Sequence, residues 1–220
     1  MVWIKICGIT NLEDATGISR LGVDAMGFVL SASSPRRVEP DKAERIITAL
    51  RSEGIRVPAA GVFVNETIER ITRCVKSLGL DYIQLSGDEE ENYIEDLRTR
   101  SGKIKIIKAI RIKDNNKDQE DIMDELDEKI DKLKDYADFI LLDSYRKGIY
   151  GGTGVPLDWG MLKNYCSKIP VILSGGLDPE NVERAVDLVV PFGVDASSGL
   201  EIYPGKKDMD KVARFVNILR

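Results

Sequence analysis

Short apolar runs rich in β-branched residues alternate along the chain with longer stretches in which apolar residues recur every three or four positions. The runs predict strands over 2–7, 24–30, 59–64, 81–85, 104–110, 138–143, 170–174 and 192–196. The stretches between them predict helices near 11–20, 40–51, 66–78, 89–100, 115–135, 158–166, 179–190 and 207–219. In the seventh helix, Val182, Ala185, Val186 and Val189 fall on one face. Asp178 is the cap candidate there, with Pro179 suited to the first helical position. Asn11 plays the same part for the first helix, and Glu13 and Asp14 follow in its favourable first turn. The charged segment from Lys113 to Asp135 carries a stripe of Met123, Leu126, Ile130 and Leu133, the pattern of a surface helix.

Eight strand–helix units predict an α/β fold closed as a (β/α)8 TIM barrel. No linker or shift of composition divides them, so residues 1–220 are expected to form one domain. A doubly wound open sheet is the alternative, and the regular repetition favours closure.

Composition narrows the function. With 43% hydrophobic and 31% charged residues the chain is globular. A net charge of −5 argues against a general nucleic-acid binder, which needs a basic stripe. No apolar run approaches the ~20 residues of a membrane helix, and no secretory signal pattern is visible, so a cytoplasmic location is expected. Cys7, Cys74 and Cys166 fit neither a disulfide framework nor a zinc spacing. Histidine is absent, which removes Ser-His-Asp hydrolysis and His-ligated metal catalysis and leaves acid–base work to carboxylates, thiols, lysines or tyrosines.

In this fold the chemistry sits on the loops at the C-terminal ends of the strands. Cys7 ends the first strand, Asp143 the sixth, and Arg36 and Arg37 follow the second. Ser174-Gly175-Gly176 and Ser197-Ser198-Gly199 close the seventh and eighth. Glycines admit an anion to backbone N–H groups, serines add donors, and helix starts supply positive potential, so these two loops are the candidate phosphate site. A buried cysteine chosen at random is a packing residue, and Cys74 and Cys166, in helices, keep that reading.

"KICGIT" at 5–10, "SPRRV" at 34–38, "GVFVNE" at 61–66, "LLDS" at 141–144, "LSGGLDPENV" at 173–182, "VDASSG" at 194–199 and "PGKKD" at 204–208 resemble, in order and almost end to end, the phosphoribosylanthranilate isomerase family. The resemblance implies a cofactor-free Amadori rearrangement in tryptophan biosynthesis. N-(5-phosphoribosyl)anthranilate becomes 1-(2-carboxyphenylamino)-1-deoxyribulose 5-phosphate. It implies Cys7 as general base, Asp143 as general acid, Arg36 as the clamp for the anthranilate carboxylate, and the two loops with Asp195 as substrate-binding residues. The implied partner is a phosphorylated small molecule, with no metal, nucleic acid or membrane, and the chain is expected to work as a monomer or homodimer. Where the family commonly reads Gln-Leu-His-Gly, this chain has Gln84-Leu85-Ser86-Gly87, and Ser86 is expected to leave the reaction intact.

Reference pKa values of about 3.9 for a carboxyl and 8.5 for a thiol are in the wrong order for these roles. The site is expected to raise the first by desolvation and to lower the second by positive charge, with Arg36 as a source. Alternation turns Lys5 inward with Trp3 and Cys7. Closure would bring the eighth strand beside the first, so a Lys5–Asp195 pair beneath the site is expected. Rivals are another phosphate-binding sugar-phosphate isomerase on this fold and a non-catalytic phosphate-binding barrel. Metal-dependent epimerases would need histidines, Schiff-base aldolases commonly place lysine where Asp143 stands, and the histidine-pathway isomerase uses aspartate in place of Cys7.

Overall fold

Strand positions buried on both faces favour a parallel sheet wrapped by helices, and the chain closes one. The computed structural model describes residues 1–31, 33–112, 119–143 and 159–220. Its parallel strands are β1 (Trp3–Cys7), β2 (Ala25–Val29), β3 (Ala59–Phe63), β4 (Tyr82–Leu85), β5 (Lys105–Arg111), β6 (Phe139–Asp143), β7 (Val171–Ser174) and β8 (Gly193–Ala196). They pair in sequence order, and β8 returns to β1 to complete the barrel. The open-sheet alternative is thereby excluded. Each strand lies within one residue of its predicted bounds.

Around the barrel run α1 (Leu12–Ser19), α2 (Pro40–Ser52), α3 (Ile68–Leu78), α4 (Glu91–Ser101), α5 (Gln119–Leu133), a 3-10 helix (Trp159–Ser167), α6 (Val182–Val189) and α7 (Met209–Leu219). In α3 the sequence logic is complete. The Thr67 side chain accepts from the Arg70 N–H, Ile68, Ile71, Cys74 and Leu78 make the buried stripe, and Gly79 ends the helix in left-handed geometry. Asn11 caps α1 as expected, accepting from the Asp14 N–H at 2.9 Å.

Three expectations are corrected. Asp178 does not cap α6, whose flanking residue is Asn181. Asp178 instead closes a separate turn, accepting from the Glu180 N–H while its own N–H donates to Asn181 Oδ1. Pro179 therefore starts this turn rather than the helix. In α5 the fully buried stripe is Ile122, Leu126, Ile130 and Leu133, and Met123 is only half-buried. The segment predicted as a helix near 158–166 is a 3-10 helix. The predicted beginning of the fifth helix at 115–118, Ser144 of the "LLDS" motif and position 158 lie outside the described residues.

The barrel interior changes character along its axis. At the N-terminal end Trp3 meets Tyr82 and Phe139 with ring centroids 5.6 and 6.4 Å away. Gly193 leaves room for them, since a Cβ there would stand 2.8 Å from the Trp3 ring. Ile107, Leu141 and Ile172 fill the next level. Above them the interior becomes polar, with Lys5, Gln84 and Asp195 all buried. Beyond β8 a hairpin, β9 (Glu201–Tyr203) and β10 (Lys206–Lys207), crosses the mouth's edge before α7. No sequence pattern had marked it as paired strands.

Candidate active site

Two strand ends set the site. Cys7 is the last residue of β1, and Gly8 follows at φ +81, a left-handed conformation that glycine adopts without strain. On the neighbouring strand Gly27 is the Cα partner of Cys7, and a Cβ at Gly27 would lie 2.7 Å from the Cys7 sulfur. The thiol therefore occupies space that only a glycine leaves open. Asp143 ends β6, half-buried, with its carbonyl accepting from the Ile112 N–H at 3.0 Å.

A cavity of about 720 Å³ opens at this end of the barrel, and its wall includes Cys7, Gln84, Asp143, Ser174, Asp195 and Ser197. Five of the residues singled out in the sequence thus share one cavity. Gly175 and Gly176 follow Ser174 at φ +101 and +66, in a turn that L side chains resist. Gly199 packs against the Leu177 carbonyl so closely that a Cβ would collide with it, which ties the two loops together. The helix start expected after Ser197 is a single 3-10 turn, Ser198–Leu200, too short to carry a helix dipole. Anion binding there falls to the backbone and hydroxyl donors of the loops. The Ser197 hydroxyl itself donates to the Cys7 carbonyl at 3.1 Å, joining the ends of β8 and β1.

Beneath the thiol, Lys5 and Asp195 are direct partners in the β1–β8 register, and Lys5 Nζ lies 2.7 Å from Asp195 Oδ1. The expected pair is present. It is a close ionic contact between two buried groups. Burial opposes the Lys5 charge, but the carboxylate of Asp195 and the thiol of Cys7 outweigh it and hold the ammonium above its ordinary pKa. For Cys7 the balance differs: burial pushes the thiol up, and the nearby Lys5 and Lys207 charges only partly pull it down. The resting site therefore holds a protonated thiol, contrary to the expected lowering.

Arg36 is not the charge that faces Cys7. Its Nε lies 2.9 Å from both oxygens of Glu201, and its Nη2 donates to Oε2 at 2.7 Å. That leaves the guanidinium edge formed by the two terminal nitrogens for a second carboxylate. Arg36 packs beside Gly8, where a Cβ would stand 2.8 Å from its Cδ, and so borders the thiol's turn. Arg37 is exposed and pairs with Glu39 at 2.9 Å, a solvated neighbour. Glu201 also accepts from Lys207 Nζ at 3.0 Å and from the Gly205 N–H at 3.3 Å. Burial would raise the Glu201 carboxyl, but the Arg36 hydrogen bond and the Lys207 charge hold it below the usual range.

Glu201 and Lys207, both buried, were missed in the sequence, although Pro204-Gly205 between them is a turn signal. Their hairpin is fixed from below by Asp14, which accepts from Lys206 Nζ at 2.7 Å and the Lys207 N–H at 2.8 Å. Another organising carboxylate, Glu89, accepts from Lys108 Nζ and from the N–H groups of Asn65 and Gly87, and so shapes the loop after β4. Among the described residues no group of three or more His, Cys, Asp or Glu side chains could hold a metal ion. Nor is any described helix long and apolar enough to cross a membrane.

Known proteins share this fold. The family model described as N-(5'phosphoribosyl)anthranilate (PRA) isomerase matches residues 4–218. The N-(5'-phosphoribosyl)anthranilate isomerase of Rubrobacter xylanophilus is 43% identical over 219 residues, covering 99% of this chain and 98% of its own. The crystal structure of phosphoribosyl anthranilate isomerase from Thermotoga maritima superposes with a TM-score of 0.82 at 38% identity, covering 99% of this chain and 98% of that one. A phosphoribosyl anthranilate isomerase bound to reduced 1-(o-carboxyphenylamino)-1-deoxyribulose 5-phosphate superposes at 0.80 with 37% identity, over 99% and 97% of the two chains. With its barrel and nearly its whole length matched, this chain belongs to the N-(5'-phosphoribosyl)anthranilate isomerase family.

Proposed function

We propose that this cavity carries out the family's isomerisation with Cys7 as general base and Asp143 as general acid. The carrying observation is that both residues, from strands on either side of the β7–β8 pair, line one cavity. The phosphate of N-(5'-phosphoribosyl)anthranilate sits on Ser174-Gly175-Gly176 and Ser197-Ser198-Gly199, between the acid and the base. Asp195 contributes from below as the partner of Lys5. The free edge of Arg36 takes the anthranilate carboxylate through two parallel hydrogen bonds.

The Asp143 carboxyl gives its proton to the furanose ring oxygen, and the C1–O bond breaks to leave an iminium ion. Cys7, ionised by loss of its proton to solvent in the fraction of sites that react, then takes the proton from C2, the electron pair neutralises the iminium, and the resulting enolamine tautomerises to the ketone. Burial that keeps the thiol protonated at rest also makes its thiolate a stronger base once formed. The test is a fluorescence assay following consumption of freshly made N-(5'-phosphoribosyl)anthranilate. Conversion to the ketose phosphate is expected, and no conversion by folded protein would overturn the reading.

A further inference from the structure

One carboxylate on the hairpin serves two cations. Glu201 is met by Arg36 at 2.7 Å and by Lys207 at 3.0 Å, and among the described residues neither cation pairs with any other carboxylate. The three side chains differ in reach: those of Glu201 and Lys207 are 3% and 0% exposed, that of Arg36 23%. A ligand at the rim can touch Arg36 but has no access to Lys207. Lys207 is also fixed in place, its Nζ donating to the Ser197 carbonyl at 3.1 Å and its backbone N–H to Asp14 at 2.8 Å. Burial pulls its pKa below the ordinary lysine range, and the Glu201 carboxylate opposes that fall.

Burying an ammonium is costly, and Glu201 does not need this one. Arg36 already gives the carboxylate three close N–H contacts, from Nε to both oxygens and from Nη2 to Oε2, and matches its charge. What Lys207 adds is a surplus of charge. Arg36 and Glu201 by themselves form a neutral pair. The carboxylate of an incoming ligand would meet an arginine already neutralised, with Glu201 repelling it from behind. With Lys207 the cluster carries one net positive charge, which a single ligand carboxylate cancels. Neighbouring cations do not supply it, since Lys5 pairs with Asp195, Lys206 with Asp14 and Glu13, and Arg37 with Glu39.

We propose that Lys207 is the positioning residue that frees Arg36 for the substrate. By sharing Glu201 it offsets the carboxylate that would otherwise neutralise the clamp, and so sets the preference for a ligand whose aryl ring bears a carboxylate. The inference deepens the proposed role of Arg36 and rests on it. Lys207 touches no substrate atom and acts through Glu201 and Arg36.

The experiment titrates two probes, reduced 1-(o-carboxyphenylamino)-1-deoxyribulose 5-phosphate and the same molecule with a plain phenyl ring. In Lys207→Met the Kd of the carboxylated probe is expected to rise about 10-fold, the order for one unit charge a few ångströms away. The Kd of the phenyl probe should change less than about twofold, because it offers Arg36 no carboxylate. A packing role, or one confined to the Ser197 loop, would weaken both probes alike, since both carry the phosphate. Lys207→Gln keeps N–H donors without the charge and stands in if Lys207→Met does not fold, with the same result expected. Glu201→Gln with Lys207→Met removes both charges and leaves that of Arg36. It should return the carboxylated probe to within about threefold of wild type. Equal weakening of the two probes in the neutral variants, unchanged Kd for both, or a double variant no better than Lys207→Met would overturn the proposal. Arg36→Met separates this inference from the reading beneath it. If Arg36→Met loses the preference for the carboxylated probe and Lys207→Met keeps it, only the role of Lys207 fails. If Arg36→Met keeps that preference, the clamp itself falls, and Lys207 with it.

Discussion

The two ends of the barrel interior are built from the same strands and have opposite chemistry. On β1 the inward residues run Trp3, Lys5, Cys7, and on β6 Phe139, Leu141, Asp143. On β4 the sequence is Tyr82, Gln84, and on β8 Gly193, Asp195. Each strand thus passes from an aromatic or space-making residue to a polar one within a few positions. The aromatic end is fixed by ring packing and shape. The polar end stands only because each charge meets another: Lys5 with Asp195, and Arg36 and Lys207 with Glu201. Stability resides at one end and chemistry at the other, and four sets of variants should separate them.

The largest effect belongs to the reacting groups at the polar end. Cys7→Ala should reduce turnover by about 10²–10⁴-fold with little change in Tm, the range of a positioned acid or base. Asp143→Asn should fall as far while still binding the reduced product. Cys74→Ala and Cys166→Ala should remain active, since both thiols lie in helices, packed away from the mouth. Steady-state kinetics beside calorimetric melting would show turnover lost without folding lost. Full activity in Cys7→Ala would end the assignment.

Breaking the ion pair joins the two properties. Lys5→Met leaves Asp195 buried without its partner, a loss of about 3–5 kcal/mol in denaturant unfolding. Lys5→Met with Asp195→Leu should recover much of that stability, because two matched apolar groups replace the pair. The pH dependence sharpens the point. The fraction of Cys7 present as thiolate should climb as pH rises through its elevated pKa into the alkaline range. Lys5 pulls that pKa down, so removing it should move the rising limb to higher pH. Thiolate absorbance in a chain lacking Cys74 and Cys166 would report the shift, and an unmoved limb would refute the electrostatic role.

At the aromatic end, Trp3→Ala should cost about 3 kcal/mol of stability through lost ring contacts and a cavity, with kcat nearly intact at temperatures where the protein stays folded. A large fall in kcat there would dissolve the division between the ends. The smallest effect is expected at the rim. Arg36→Met should raise KM about 10- to 100-fold by removing a bidentate charged contact, and Arg36→Lys should recover only part of it. Equal KM values for wild type and Arg36→Met would show that Glu201, and not the substrate, is the partner Arg36 serves.

The strands were legible because burial on both faces writes itself into short apolar runs, as in Ala25–Val29 and Ala59–Phe63. Cys7 and Asp143 were legible because each stands where such a run stops. The Lys5–Asp195 pair followed from alternation together with closure. The hairpin of Glu201 and Lys207 was not legible, since strands of three and two residues leave no periodicity to read. The Asp178 cap failed for a related reason: Asp and Pro signal a turn as readily as a helix start.

Local preference and the period of the side chains are properties of neighbouring residues, so the sequence by itself determined the eight barrel strands and their order. It also determined which residues stand at their ends. Apart from the Lys5–Asp195 pair, the tertiary structure alone decided which groups meet at the site. Arg36 turns to Glu201, 165 positions away, and the Ser197 hydroxyl turns to the Cys7 carbonyl, 190 positions away. A charge's environment is a sum over everything within a few ångströms, including chain that is remote in sequence. For that reason the thiol expected to be lowered by Arg36 is raised by burial, and the cations that oppose the rise are Lys5 from the first strand and Lys207 from the last hairpin.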